Sequence, residues 1–178
     1  MDIKMKLHWN KIILILAFSG ILQVHAQDKK LSVQQYNKGQ QFFAGMKYKE
    51  AILAFSAAIQ SDSLNYNAWI RRGFVKGVNG DFKGEIDDYN HVIEKDPQHI
   101  WAYISRGSAK NRTGQYESAI ADFNKALEID ETDAEAYNNR GFAKKALGDK
   151  EGACDDWNKS KKLGNAEAKI ILNNNQCK

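Results

Sequence analysis

Arg72, Arg106 and Arg140 stand 34 residues apart, and each is followed sixteen residues later by an aspartate: Asp88, Asp122 or Asp156. An arginine facing a carboxylate makes a bidentate, charge-assisted pair, whereas an arginine without one is a site for an anionic ligand. The stretch one period earlier carries Lys38 and Ala54 in those places, so arginine and aspartate appear and vanish together. That joint appearance favours structural ion pairs, within one period or between neighbours. Anion binding by the arginines is the alternative.

The other reactive side chains form no recognisable centre. Beyond residue 26 the chain holds only His91 and His99, eight apart, which do not make up a zinc-ligand set. Cys154 has no positioned histidine, the serines sit in no nucleophile elbow, and no glycine-rich loop resembles a phosphate cradle. Acidic residues such as Asp87, Asp88, Asp155 and Asp156 return with the period, as structural or solvated groups do. The expectation is a non-enzymatic protein with no catalytic residue, metal or cofactor.

A single proline in 178 residues leaves little of the turn punctuation that many short strands need, so helix is the expected element. A net charge of +4 is too small for a nucleic-acid surface. Part of it is a targeting feature: Lys4, Lys6 and Lys11 precede an apolar stretch from Ile12 to Leu22, followed by Val24, His25 and Ala26. This is the layout of a secretory signal peptide cut near Ala26–Gln27, within residues 1–26. Eleven apolar residues rise about 16 Å as a helix, whereas a retained anchor needs roughly twice that. Loss of the segment removes three lysines and Asp2, leaving a net charge of +2. The mature chain is expected in a periplasm or outside the cell, without stable membrane insertion.

The elements that must position these residues come from the same period. Gly39, Gly73, Gly107 and Gly141 recur at steps of 34, as do the rings of Phe55, Tyr89, Phe123 and Trp157. Within each period apolar residues return every three or four positions in two stretches, broken at Gly80-Asp81, Gly114-Gln115 and Gly148-Asp149. Each unit is therefore predicted to be a pair of helices, with glycine closing one and a polar residue capping the next. A mid-helix glycine costs about 1 kcal/mol relative to alanine, so its return at one place implies close helix packing there. Ala51, Ala119 and Ala153 take the matching place on the second helix. Glu85 replaces that alanine in the second unit, where looser packing is expected.

Tyr103, Gly107, Gly114, Tyr116, Ala119, Phe123 and Ala126 in the third unit resemble the tetratricopeptide repeat (TPR), as do Trp69, Gly73, Gly80, Phe82, Tyr89 and Pro97 in the second. The resemblance is to a small exported bacterial protein of this type. It implies an all-α fold, an α-solenoid of four 34-residue helix-turn-helix repeats (32–65, 66–99, 100–133, 134–167). A linker at 27–31 precedes them, and a C-terminal capping helix ends in a tail through 168–178. Gln35 and Lys150 depart from the aromatic residues of other units, as terminal repeats of a solenoid often do.

The resemblance also implies a concave groove lined by the first helix of each repeat. Carried onto this chain, the first unit gives Tyr36, Asn37, Gln40 and Phe43, and the second gives Asn67, Ile70, Arg71 and Phe74. The third gives Trp101, Ile104, Ser105, Ser108 and Arg112, and the fourth gives Glu135, Asn138, Asn139, Phe142 and Lys145. Aromatic anchors mixed with amides and guanidinium groups suit a peptide interface. The implied function is a protein-protein interaction scaffold or adaptor that binds a partner's peptide or helix in this groove, with Arg71 and Arg112 steering toward an acidic segment. The alternative is a structural subunit of a cell-envelope assembly that touches partners through convex or end surfaces. TPR families that capture C-terminal carboxylates use Lys and Asn across three units, and Arg71, Arg112 and Asn139 do not match those places closely. The sequence names neither a partner nor an oligomeric state.

After the fourth unit, Ala166 to Leu172 offers an apolar face for a capping helix. If this helix returns antiparallel to one ending near 163, Cys154 and Cys177 come to similar heights at about 1.5 Å per residue. A disulfide between them would stabilise by roughly 3 kcal/mol in the chain-entropy model. The alternative is an unpaired Cys154 standing in for isoleucine beside a frayed tail.

Overall fold

The computed structural model describes residues 26–175 and 177, so the export segment apart from Ala26 lies outside the described residues. The described residues form α1 (26–44), α2 (Tyr48–Ser61), α3 (Tyr66–Val78), α4 (Phe82–Lys95) and α5 (Ile100–Arg112). These are followed by α6 (Tyr116–Ile129), α7 (Ala134–Ala146), α8 (Lys150–Lys162) and α9 (Ala166–Asn174), with no strand among the described residues. The fold is an all-α, TPR-like helical repeat. No helix of the described residues is long and apolar enough to cross a membrane.

The chain divides after Ala68 into two compact units. In the first, a Cβ added at Gly39 would lie 2.7 Å from the Phe55 ring, so the bare glycine is what admits the aromatic side chain. Ala51, Ala54, Ala58 and Ile59 of α2 are buried as well. Ser32, itself buried, donates to the Ala58 carbonyl at 2.8 Å and accepts from Asn65 Nδ2 at 2.9 Å. The turn between α1 and α2 passes through Met46 at φ 57°, a left-handed conformation that a side chain normally avoids. Gly80, Gly114 and Gly148 hold the equivalent turns in the second unit at φ 88°, 76° and 89°. Asp81 and Asp149 then cap α4 and α8 by accepting from the amides of Gly84 and Gly152.

In the second unit the same glycine-ring contact recurs. A Cβ at Gly107 would meet Phe123 at 2.7 Å, and one at Gly141 would meet Trp157 at 2.6 Å. Around Phe123 the core gathers Tyr103, Ile104, Ala119, Ala126, Leu127, Ala136 and Ala143, drawn from α5, α6 and α7. The C-terminal end has its own cluster of Ala153, Trp157 and Leu172, against which Ile171 and Cys177 pack. Cys154 and Cys177 come together with Cα atoms 5.5 Å apart, within the ordinary span of a disulfide bridge.

The looser packing expected at Glu85 is not found. The residue is 2% exposed, and its carboxylate fills the room left by Gly77, whose added Cβ would lie 2.2 Å from Glu85 Oε2. The space that alanine leaves elsewhere is taken here by a charged group with a partner, described below.

Candidate functional site

The first helices are held in place by a repeated electrostatic clamp. Arg72 Nε and Nη2 donate to the two oxygens of Asp88 at 2.8 and 2.7 Å. Arg106 does the same to Asp122 at 2.9 and 2.6 Å, and Arg140 to Asp156 at 2.8 and 2.7 Å. Each pair joins the two helices of one repeat. A lysine one turn after each arginine adds a second cation to the same carboxylate: Lys76 at 3.0 Å, Lys110 at 2.8 Å and Lys144 at 2.9 Å. The guanidinium groups lie over the rings of Trp69, Tyr103 and Tyr137, and Asp156 holds Arg140 above the ordinary arginine value by hydrogen bonding to its charged form. Two of them also reach the preceding repeat, Arg106 Nη1 donating to Asn90 at 2.7 Å and Arg140 Nη1 to Asn124 at 2.6 Å. These arginines are therefore committed to carboxylates and amides of the protein itself.

Outside the clamp, α5 and α7 face one another across a cavity of about 420 Å³ lined by Ser108, Asn111, Arg112, Tyr116, Asn139, Phe142 and Ala146. Its polar groups largely satisfy each other. Asn139 Nδ2 donates to Ser108 Oγ at 3.2 Å, and Asn111 Nδ2 donates to the Asn139 carbonyl at 2.9 Å. Asn111 Oδ1 is buried and has no hydrogen-bond partner. Phe142 presents one side to solvent while its edge packs on Trp157 at a centroid distance of 5.5 Å. Trp101 on the same α5 is 59% exposed, and Phe74 on α3 is also exposed.

Of the groove residues expected from sequence, Ser108, Arg112, Asn139 and Phe142 meet at this cavity. Lys145 lines a different one of about 320 Å³, with Lys150, Cys154, Trp157, Asn174 and Asn175. Two residues are not on the surface. Ile104 is 1% exposed inside the Phe123 core, and Asn138 is 5% exposed with its carbonyl accepting from Trp157 Nε1 at 3.1 Å. They share one repeat position with Ile70, which is half-buried, and that position turns inward from the stripe carrying Trp101, Ser105, Ser108 and Arg112. Ser105 is half-buried and hydrogen-bonds to Tyr89. Arg71 is exposed. In the first unit, Asn37 and Asn67 are exposed, whereas Tyr36 packs 5.6 Å from Phe55 and accepts from Gln40, and Phe43 lies 6.0 Å from Tyr48.

Arg112 does not stand ready to steer an acidic segment. Its Nη2 donates to both oxygens of Glu85, at 2.5 Å to Oε1, and its guanidinium lies 5.2 Å from the centre of the Phe82 ring. Burial holds the Glu85 carboxyl above the ordinary glutamate value, against the opposing pull of Arg112. Sequence reading also missed Asn111, Tyr116 and Ala146 on the cavity wall. It missed the three clamp lysines too, although Lys76, Lys110 and Lys144 keep the 34-residue step and follow their arginines by four, a spacing that shares a helix face.

Comparison with known proteins agrees with this geometry. Residues 107–148 match the family model for the TPR repeat. Among solved structures, YrrB, described as a TPR protein with an unusual peptide-binding site, superposes with a TM-score of 0.70 at 18% identity, covering 93% of this chain and 89% of its own. The first TPR domain of Spaghetti (RPAP3), solved with the HSP90 peptide SRMEEVD, gives 0.64 at 24% identity, over 67% of this chain and 95% of that one. TTC0263, a TPR protein of Thermus thermophilus, gives 0.65 at 17% identity, over 75% and 74%. No curated protein matches the sequence. The chain thus carries a TPR repeat and shares the TPR fold with proteins that include a peptide binder.

Proposed function

We propose that the protein is a non-enzymatic scaffold that holds an extended peptide or a helix of a partner protein against the first helices of its repeats, with α5 and α7 as the main platform. The observation that carries this reading is the cavity between those helices: one aromatic side chain half open to solvent, amides that bond to one another, and an exposed tryptophan on the same helix. A few aromatic anchors in a partly desolvated cleft supply most of the binding energy in such interfaces. A peptide library displayed against the protein tests it. Sequences enriched by the wild type are expected to be lost with Trp101→Ala and Phe142→Ala while the melting temperature of each variant stays within a few degrees. Enrichment that survives both substitutions would move the interaction to the convex or end surfaces, as a structural subunit of an envelope assembly requires.

The same reading places the mature protein outside the cytoplasm. Lys4, Lys6, Lys11 and the apolar stretch before Ala26 support export, and the proximity of Cys154 and Cys177 fits an oxidising compartment. Protein recovered from its native cells is expected to begin near Gln27 and to gain two alkylated thiols only after reduction, both read by intact mass. An uncut N-terminus with two free thiols would place it inside the cell.

A further inference from the structure

Three residues depart from the repeat pattern, Gly77 and Glu85 in the second repeat and Arg112 in the third, and all three meet. Where other repeats have Ala51, Ala119 and Ala153, the second has Glu85; where they have Phe43, Asn111 and Lys145, it has Gly77. Val78 and Ala146 stand one period either side of Arg112, and Ala44 stands two periods before it, so the third repeat alone puts a charge at that place. Gly77 makes the room for the carboxylate, and Arg112 reaches back from the next repeat to neutralise it. Arg112 is also the only charged residue on the wall of the α5–α7 cavity, and its side chain is 44% exposed there. A free guanidinium at that point would invite an acidic peptide or a C-terminal carboxylate. Glu85 already occupies it from behind.

We infer that Glu85 is an internal stand-in for a ligand carboxylate, which sets the specificity of the cavity: it refuses acidic peptide termini and takes an uncharged internal segment with an apolar side chain. The inference rests on the proposed peptide-binding role and names its partner class. What remains to recognise a ligand is the Phe142 face, the Tyr116 and Ala146 walls, an Asn139 amide paired with Ser108, and Asn111, whose unpaired Oδ1 accepts an N–H and not a carboxylate. None of these calls for a charge. Glu85 acts through Arg112 without touching the ligand, so it is a positioning residue.

The experiment compares two peptides, SRMEEVD with its free carboxylate and the amidated analogue SRMQQVN, on the full mature chain. The wild type is expected to bind the amide at least as tightly as the acid. Glu85→Ala, which installs the residue of the other repeats, should tighten SRMEEVD binding by about tenfold and leave the amide unchanged. Adding Arg112→Ala should cancel the gain, and Glu85→Gln should move affinity the same way if the alanine variant folds poorly. A tenfold wild-type preference for SRMEEVD, or an unchanged ratio in both Glu85 variants, overturns the inference. Acetate titration followed at the Arg112 Nε–H resonance reads the same block without any peptide. A shift in the Glu85 variants but not in the wild type, with neither peptide bound anywhere, supports the block and removes the peptide-binding role. An equal shift in all of them removes the block.

Discussion

Asp156→Ala lowers the unfolding free energy by about 3 kcal/mol, whereas Asp155→Ala beside it changes stability by less than about 0.5 kcal/mol. The two aspartates are adjacent in sequence and alike in charge, but Asp155 is exposed, while Asp156 is 4% exposed and held by Arg140 and Lys144. Removing the carboxylate leaves two partly buried cations facing each other with nothing between them. Breaking a buried pair by deleting one partner costs about 3–5 kcal/mol, and the residual access of Arg140 and Lys144 to water places the cost at the low end. Urea melts of the two variants check it, and equal effects would mean that the clamp contributes nothing beyond surface charge.

The second large effect is steric. Gly141→Ala improves helix propensity by about 1 kcal/mol on its own, yet the variant is expected to be less stable by about 2 kcal/mol overall. Its Cβ would lie 2.6 Å from Trp157 Nε1, so the indole must shift and give up contacts that hold it. It is buried, its N–H is bonded to the Asn138 carbonyl, and it packs with Ala153 and Leu172. Thermal melts followed by circular dichroism read the difference. A neutral or stabilised variant would show that the ring and α7 can separate without loss, and that the recurring glycine does not mark a tight contact.

The contrast between these sites and the cavity explains what could be read from the chain. Glycine and ring sit 16 residues apart in every repeat, so four copies of one contact were visible as four copies of one spacing. The helix pairs were visible for the same reason. Arg112 failed that test because its partner, Glu85, lies 27 residues away and occurs once. A contact made by three departures from a pattern leaves no periodic trace, and without through-space distances each departure looks like drift. Ile104 and Asn138 failed differently. The family resemblance puts them on an exposed stripe, but a helix turns about 100° per residue, and the residue before Ser105 packs in the core around Phe123. The lysines at 76, 110 and 144 did keep the period. A lysine one turn from an arginine is ordinarily solvated, and only the aspartate between them makes the second cation useful.

The bonds from Arg106 to Asn90 and from Arg140 to Asn124 bear on how the chain comes apart. Repeat proteins behave as linear arrays in which each element is coupled only to its neighbours, and weak coupling lets them fray one repeat at a time. Here the side chain that closes one repeat also grips the repeat before it, so opening either repeat loosens both. From Trp69 onward the array gains cooperativity from that shared hand-hold, and it loses its structure as a block where a weakly linked row of helices would peel.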